Sequence, residues 1–350
     1  MVCIAAFIIL ALIGVFVAVI SIFKPKVGKS YWKLLKRSWS CLWTKVRLQK
    51  CETGFKDDVK NTLLSRVIIK HPKWTKPLSI IIEVISVIIV VIAIWAILTA
   101  IKSLLALWAL GSCNVTKPSA CTLGAEVCSI DESEPKNPIE ATGRWFTEWG
   151  EIFAAIPDKF RTYNADDYHF NYVTINNNSD APAAVDIFDP GCSVCMQSYR
   201  NQKSTGFFDR YNVRMVPFAI QSADNSYKFQ NSEIIVRYMF AAEQFRSGLA
   251  MELLDHIFTG KNHDGISYQN LFNEDYTHDQ AVAKLESWLK DAGLDDSAIA
   301  EVRKITTYDE ITTKMQENRE IIEHQVNVRG IPTMIYDGKR HTGLYKADDN

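Results

Sequence analysis

The distribution of charge restricts this chain more than any other feature. Residues 1–23 carry no charged side chain, and Val2 to Phe23 is a run of 22 apolar or small residues. A helix of that length rises about 33 Å, enough to cross a hydrocarbon core about 30 Å thick. A second run, Leu78 to Ala100, contains one charge, Glu83. Between the two, residues 24–77 hold 15 Lys/Arg against Glu52, Asp57 and Asp58, a net of +12. Residues 111–350 hold 23 Lys/Arg against 36 Asp/Glu, a net of −13. The overall charge of −1 is therefore the sum of a basic loop and an acidic domain. A disordered chain and a globally basic nucleic-acid binder are both excluded, and no nucleic-acid partner is expected.

The first run reads as a retained anchor. A cleaved signal peptide begins with basic residues, whereas here Lys24, Lys26 and Lys29 follow the apolar run. The positive-inside rule places the basic loop in the cytoplasm. Both termini and the acidic domain then lie outside, in a two-span protein of the cell membrane whose first partner is the lipid bilayer. The alternative is that one run is the buried core helix of a soluble protein. Within the loop, Tyr31, Leu35, Trp39, Leu42 and Val46 recur at helical spacing among basic residues. That pattern suits a helix on the inner membrane surface or a small helical hairpin.

The expected organisation is a transmembrane helix over 2–23, a cytoplasmic loop over 24–77 and a second transmembrane helix over 78–110. An extracytoplasmic tether follows over 111–140, rich in Ser, Thr, Pro and acids and carrying Cys113, Cys121 and Cys128. Residues 141–350 form an α/β domain. Trp145, Trp149, Ile152 and Phe153 mark an amphipathic helix, Tyr168 to Ile175 alternates as a strand does, and Ala183 to Phe188 reads as a buried strand. Met215 to Ile220 is another strand candidate, and about 221–327 is mostly helical. Asp337-Gly338 between Thr333–Tyr336 and His341–Leu344 signals a hairpin.

The most informative residues are Cys192-Ser193-Val194-Cys195, between the strand Ala183–Phe188 and an expected helix. A helix N-terminus carries partial positive charge and free N–H groups, which favour a thiolate at the first cysteine. Two intervening residues let the sulfurs close a small disulfide. The alternatives are a structural disulfide and half of a zinc site. Zinc would want a second pair at similar spacing, which the sequence lacks, so no metal is expected. Asp186 interrupts the apolar strand six residues before Cys192, and Arg329-Gly330-Ile331-Pro332-Thr333 precedes the hairpin.

With these residues the sequence resembles the thioredoxin superfamily, over roughly residues 165–345. The separation of 140 positions between Cys192 and Pro332, mostly helical, makes it similar to the DsbA-like branch, which inserts a helical domain into the fold. The resemblance implies the following site. Cys192 attacks or is attacked, forming a mixed disulfide with a substrate protein, and Cys195 resolves it. Asp186 exchanges the proton of the second thiol. Pro332 is cis, packs against the disulfide and, with Ile331, holds the substrate's extended chain. The redox-active Cys192–Cys195 disulfide makes a prosthetic cofactor unnecessary. Partners are proteins with cysteine thiols or disulfides and a membrane or extracytoplasmic redox partner. Ser193-Val194 lacks the histidine of the strong oxidants of this branch, and Ile331 is the more thioredoxin-like choice. Cys41 and Cys51 are expected as reduced thiols in the loop. With Cys113, Cys121 and Cys128 odd in number, one is free, pairs with Cys3, or relays electrons to Cys192.

Overall fold

The computed structural model describes residues 75–346 apart from 122, 124, 131–134, 176–179 and 223, together with 32, 36, 39, 40 and 43. The expected span over 2–23 and nearly all of the basic loop lie outside the described residues. Residues 32, 36, 39, 40 and 43 are helical. The chain divides into two compact units, 1–101 and 102–350.

In the first unit, helix α1 (Thr75–Leu110) begins and runs without a break, because its sequence offers no Gly or Pro after Pro77. Its stretch Glu83–Leu110 is long and apolar enough to cross a membrane by length and composition. Ile80, Val84, Ile88 and Val91 on it are exposed. From Lys102 onward the same helix belongs to the second unit. Lys102 makes an ion pair with Glu148 in α2 (Pro138–Ala155), and Ala106 and Ala109 are buried with Ile152 and Ala155 of that helix. The C-terminal end of the expected span over 78–110 thus also carries a paired lysine and an alanine face packed against α2. Asn137 caps α2 by accepting the Glu140 N–H at 2.8 Å.

The second unit is built on a five-stranded sheet in the order β2-β4-β3-β6-β7. Its strands are β2 (Val173–Thr174), β3 (Ala183–Phe188), β4 (Asn212–Pro217), β6 (Thr333–Tyr336) and β7 (Lys339–Thr342). The central pair, β3 and β4, is parallel, and a parallel pair needs a crossover. Helices α3 (Ser193–Ser204) and α4 (Phe207–Arg210) provide it. β6 and β7 form a two-residue hairpin in which Asp337 and Gly338 both take positive φ, 49° and 73°. That is the turn an Asp-Gly pair is suited to. The alternation over Tyr168–Ile175 yields only two paired residues, because β2 lies at the sheet edge and meets β4 solely at Arg214 and Met215. A further two-stranded ladder joins β1 (Cys128–Ser129) to β5 (Gly330–Ile331).

The helical insert holds α5 (Ser232–Phe245), α6 (Leu249–Thr259), α7 (His278–Asp291), α8 (Asp296–Ile305) and α9 (Asp309–Glu320). A turn at Tyr268–Asn270 continues into a π-helical turn, Leu271–Asp275, before α7. Thr277 and Gln280 close a capping box on α7, and Asp295 caps α8 by accepting the Ala298 N–H. One continuous core runs from the sheet (Val185, Ile187, Val213, Ile335) into the insert (Tyr238, Leu253, Phe272, Leu285), so the insert cannot shift without disturbing the sheet.

Candidate redox site

The site forms where β3 ends. Asp189 closes the strand, Pro190-Gly191 turn the chain, and Cys192 becomes the N-cap of α3, its sulfur 3.4 Å from the Cys195 N–H. The insert grips this turn. Gln269, fully buried, donates to the carbonyls of Pro190 and Cys192 at 2.8 and 3.0 Å, and Asn273 donates to Gly191 O at 2.8 Å. Gly191 has no room for a side chain: a Cβ there would stand 2.4 Å from Phe229. The helical block therefore fixes the backbone on which the first cysteine is presented.

Opposite lies the loop before β6. The Ile331–Pro332 peptide bond is cis, and the Ile331 carbonyl oxygen is 3.9 Å from Cys192 Sγ. Cys192, Cys195, Asp186, Ile331 and Pro332, the five residues expected from the sequence to form a site, are thus gathered at one end of the sheet, and all are buried.

The disulfide is not the expected one. Cys192 is bonded to Cys128, with their Cα atoms 6.2 Å apart, and Cys195 is a free, buried thiol. The physical reason is the β1–β5 ladder. It sets Cys128 opposite Ile331, the residue whose carbonyl faces Cys192. Residues 111–130 are correspondingly not a loose tether. Cys113 and Cys121 close a second disulfide, and Ser129 has no exposed surface. The odd cysteine of the three, Cys128, is thus neither free nor paired with Cys3.

Beneath the cysteines sit two carboxyls. Asp186, 2% exposed, accepts a hydrogen bond from Gln202 Nε2 at 2.8 Å on one oxygen, while the other oxygen has no protein partner. Burial pushes its carboxyl up to about 7, and the Gln202 bond offsets that only in part. Asp189 is also fully buried, but its oxygens accept from the Gly191 N–H at 2.7 Å, the Ile220 N–H at 2.8 Å and the Ser232 hydroxyl. Burial raises it to about 6 against those donors and the Lys228 charge. Burial pushes the Cys195 thiol well above its ordinary value, and the Asp186 and Asp189 charges act in the same direction. Two neighbouring groups, one acid near 7 and one thiol that resists ionisation, are the arrangement in which a proton passes from thiol to carboxylate as the sulfur attacks.

Sequence reasoning missed three of these residues. Gln202 lies seven positions after Cys195, hence on the same face of α3, and that spacing was available to find it. Asp189 belongs to no motif, and Cys128 enters the sequence only as one of three tether cysteines of which one is free, pairs with Cys3 or relays electrons to Cys192.

No family model matches the chain, and no curated protein does. Solved structures similar to it include the following three. The thiol-disulfide exchange protein alpha-DsbA2 from Wolbachia pipientis is 14% identical with a TM-score of 0.37, over 51% of this chain and 82% of that one. MdbA, a thiol-disulfide oxidoreductase from Corynebacterium diphtheriae, is 14% identical with a TM-score of 0.36, over 50% and 91%. A thioredoxin-like oxidoreductase from Silicibacter pomeroyi DSS-3 is 16% identical with a TM-score of 0.34, over 47% and 80%. The description of this chain as a thioredoxin-like fold with a helical insert rests on its own strand order, its cysteine-bearing β3–α3 junction and its cis-proline loop.

Proposed function

We propose that the protein is a membrane-anchored, extracytoplasmic thiol–disulfide oxidoreductase that oxidises the thiols of substrate proteins. The observation that carries this reading is the position of Cys192. It caps a twelve-residue helix, faces the Ile331 carbonyl, and is joined to a cysteine on a strand paired with the cis-proline loop. That is the geometry of a sulfur exchanging with a cysteine on an extended chain. Cys192 forms the mixed disulfide. In oxidation a substrate thiolate, aligned by Ile331 with Pro332, attacks Cys192 of the Cys192–Cys195 disulfide, and Cys195 leaves and takes its proton from Asp186. A second substrate thiol then displaces Cys192 as the substrate disulfide closes. In the reverse exchange Cys195 resolves the mixed disulfide and gives its proton to Asp186. The Cys192–Cys195 disulfide is the only redox group the reaction needs.

The direction of flow follows from which form the protein stabilises. The helix N-terminus favours the Cys192 thiolate, and stabilising the reduced form makes the disulfide a better oxidant. The absence of a histidine at Ser193-Val194 moderates this. The apolar stretch of α1 and the charge asymmetry across it support an anchor with the catalytic domain outside. Equilibration of the full-length protein in detergent against glutathione buffers tests the direction. The expected potential lies between about −120 and −230 mV, and a value near about −270 mV would make the protein a tethered reductase or isomerase.

A further inference from the structure

Cys192 and Ile331, the two residues a substrate must reach, have no exposed surface. What covers them is residues 125–130 of the same chain. Cys128 and Ser129 pair antiparallel with Ile331 and Gly330, and the Ile130 N–H donates to Arg329 O at 3.0 Å. Upstream, the Leu344 N–H donates to Glu126 O at 3.1 Å. Lys228 Nζ donates to Ser129 O at 3.1 Å, and Ser129 Oγ accepts the Ser119 N–H at 2.9 Å. Ser119 lies in the loop that the Cys113–Cys121 disulfide closes. The fit is close. A Cβ on Gly330 would stand 2.9 Å from Val127 Cβ and Cγ2, so the absence of a side chain at 330 is what lets the segment lie down.

Building on the proposed oxidoreductase site, we propose that Cys128 is a third redox-active cysteine. The strand that carries it is an internal substrate, seated where an extended, cysteine-bearing peptide is taken. The seated form has the composition of a mixed disulfide, with Cys192 bonded to the cysteine of a paired strand and Cys195 waiting as a thiol. Release is an exchange without net oxidation. Cys195, its proton passing to Asp186, attacks Cys192 Sγ. The Cys192–Cys195 bond forms as Cys192–Cys128 breaks, and Cys128 leaves as a thiolate that takes up a proton. One disulfide and one thiol stand on each side, so no oxidant or reductant is required. Burial opposes ionisation of the Cys195 thiol, so the attack depends on Asp186 taking the proton. The chain thus holds its own groove closed, and an incoming substrate strand competes with residues 125–130 for the same backbone edge.

The test is disulfide mapping on the oxidised full-length protein in detergent, with free thiols blocked in acid before digestion. Two pairings are expected, Cys128–Cys192 with Cys195 blocked and Cys192–Cys195 with Cys128 blocked. The separated Cys128–Cys192 form should redistribute to both when returned to neutral pH. Gly330→Ala should shift the map towards Cys192–Cys195, because its methyl group displaces Val127. Cys128→Ser should oxidise a dithiol peptide faster than wild type, by about tenfold if the groove is free in a tenth of wild-type molecules. A map with Cys192–Cys195 alone overturns the proposal. So does a Cys128–Cys192 bond that never redistributes, which is a structural disulfide, and so does a Cys128→Ser protein that oxidises the peptide, but no faster than wild type. Redistribution in a protein whose wild-type and Cys128→Ser forms both leave the peptide reduced supports the internal exchange and defeats the oxidoreductase reading instead.

Discussion

Asp186→Asn is the substitution whose effect can be worked most fully from the structure. The Asp186 carboxyl is raised from 3.8 to about 7, chiefly by burial. The native state therefore keeps this proton to higher pH than the unfolded chain does. Between about pH 4 and pH 7 the native protein binds more protons, and its stability falls as pH rises. A shift of about three units corresponds to about 4 kcal/mol, fully present above pH 7 and absent below about pH 4. Asparagine fills the same space, can still accept the Gln202 hydrogen bond, and has no charge to desolvate. Urea unfolding of the full-length protein with its disulfides intact, followed by tryptophan fluorescence, reads the difference. At pH 8 the variant should be more stable than wild type by about 4 kcal/mol, and at pH 4 the two should agree. An offset that is the same at both pH values would refute the reasoning, because a neutral packing change has no pH dependence while a buried charge must.

Two further outcomes are expected. Gln202→Leu removes the hydrogen bond that holds Asp186 down. The pH at which Cys195 begins to resolve a mixed disulfide should then move above about 7. A midpoint that stays put, in stopped-flow resolution across pH, would exclude Asp186 as the proton acceptor. In intact cells, after reduction, an impermeant thiol reagent should label Cys113 and leave Cys41 and Cys51 untouched. Labelling of Cys41 would reverse the orientation drawn from the basic loop.

The parts of the site that were legible in the sequence are those set by local rules. Cys192-Ser193-Val194-Cys195 stands at a strand-to-helix change of period, and Asp186 breaks an apolar strand. Asp337-Gly338 dictates its own turn. Each can be read within a dozen residues. The covering of the groove could not be read that way. β1 is two residues long, has no period to detect, and finds its place only by pairing with Gly330–Ile331 about two hundred positions later. The same holds for Asp189, whose three donors come from Gly191, Ile220 and Ser232, on three separate stretches of chain. The insert's grip on the cysteine turn through Gln269 and Asn273 is likewise a product of tertiary packing. Ionic partners are equally distant in sequence. Lys102 lies in an apolar run of sequence, yet it pairs with Glu148 of α2, forty-six positions later.

The central claim is that Cys192 exchanges with substrate sulfur and Cys195 resolves the product. It is tested most directly by trapping, in a Cys128→Ser background so that Cys192 is not already held. Expressed in full-length form and analysed on non-reducing gels, Cys195→Ser should accumulate mixed disulfides that map to Cys192, because the resolving thiol is gone. Cys192→Ser should trap nothing. Equal trapping by the two variants, or none by either, would contradict the assignment of roles on which the account stands.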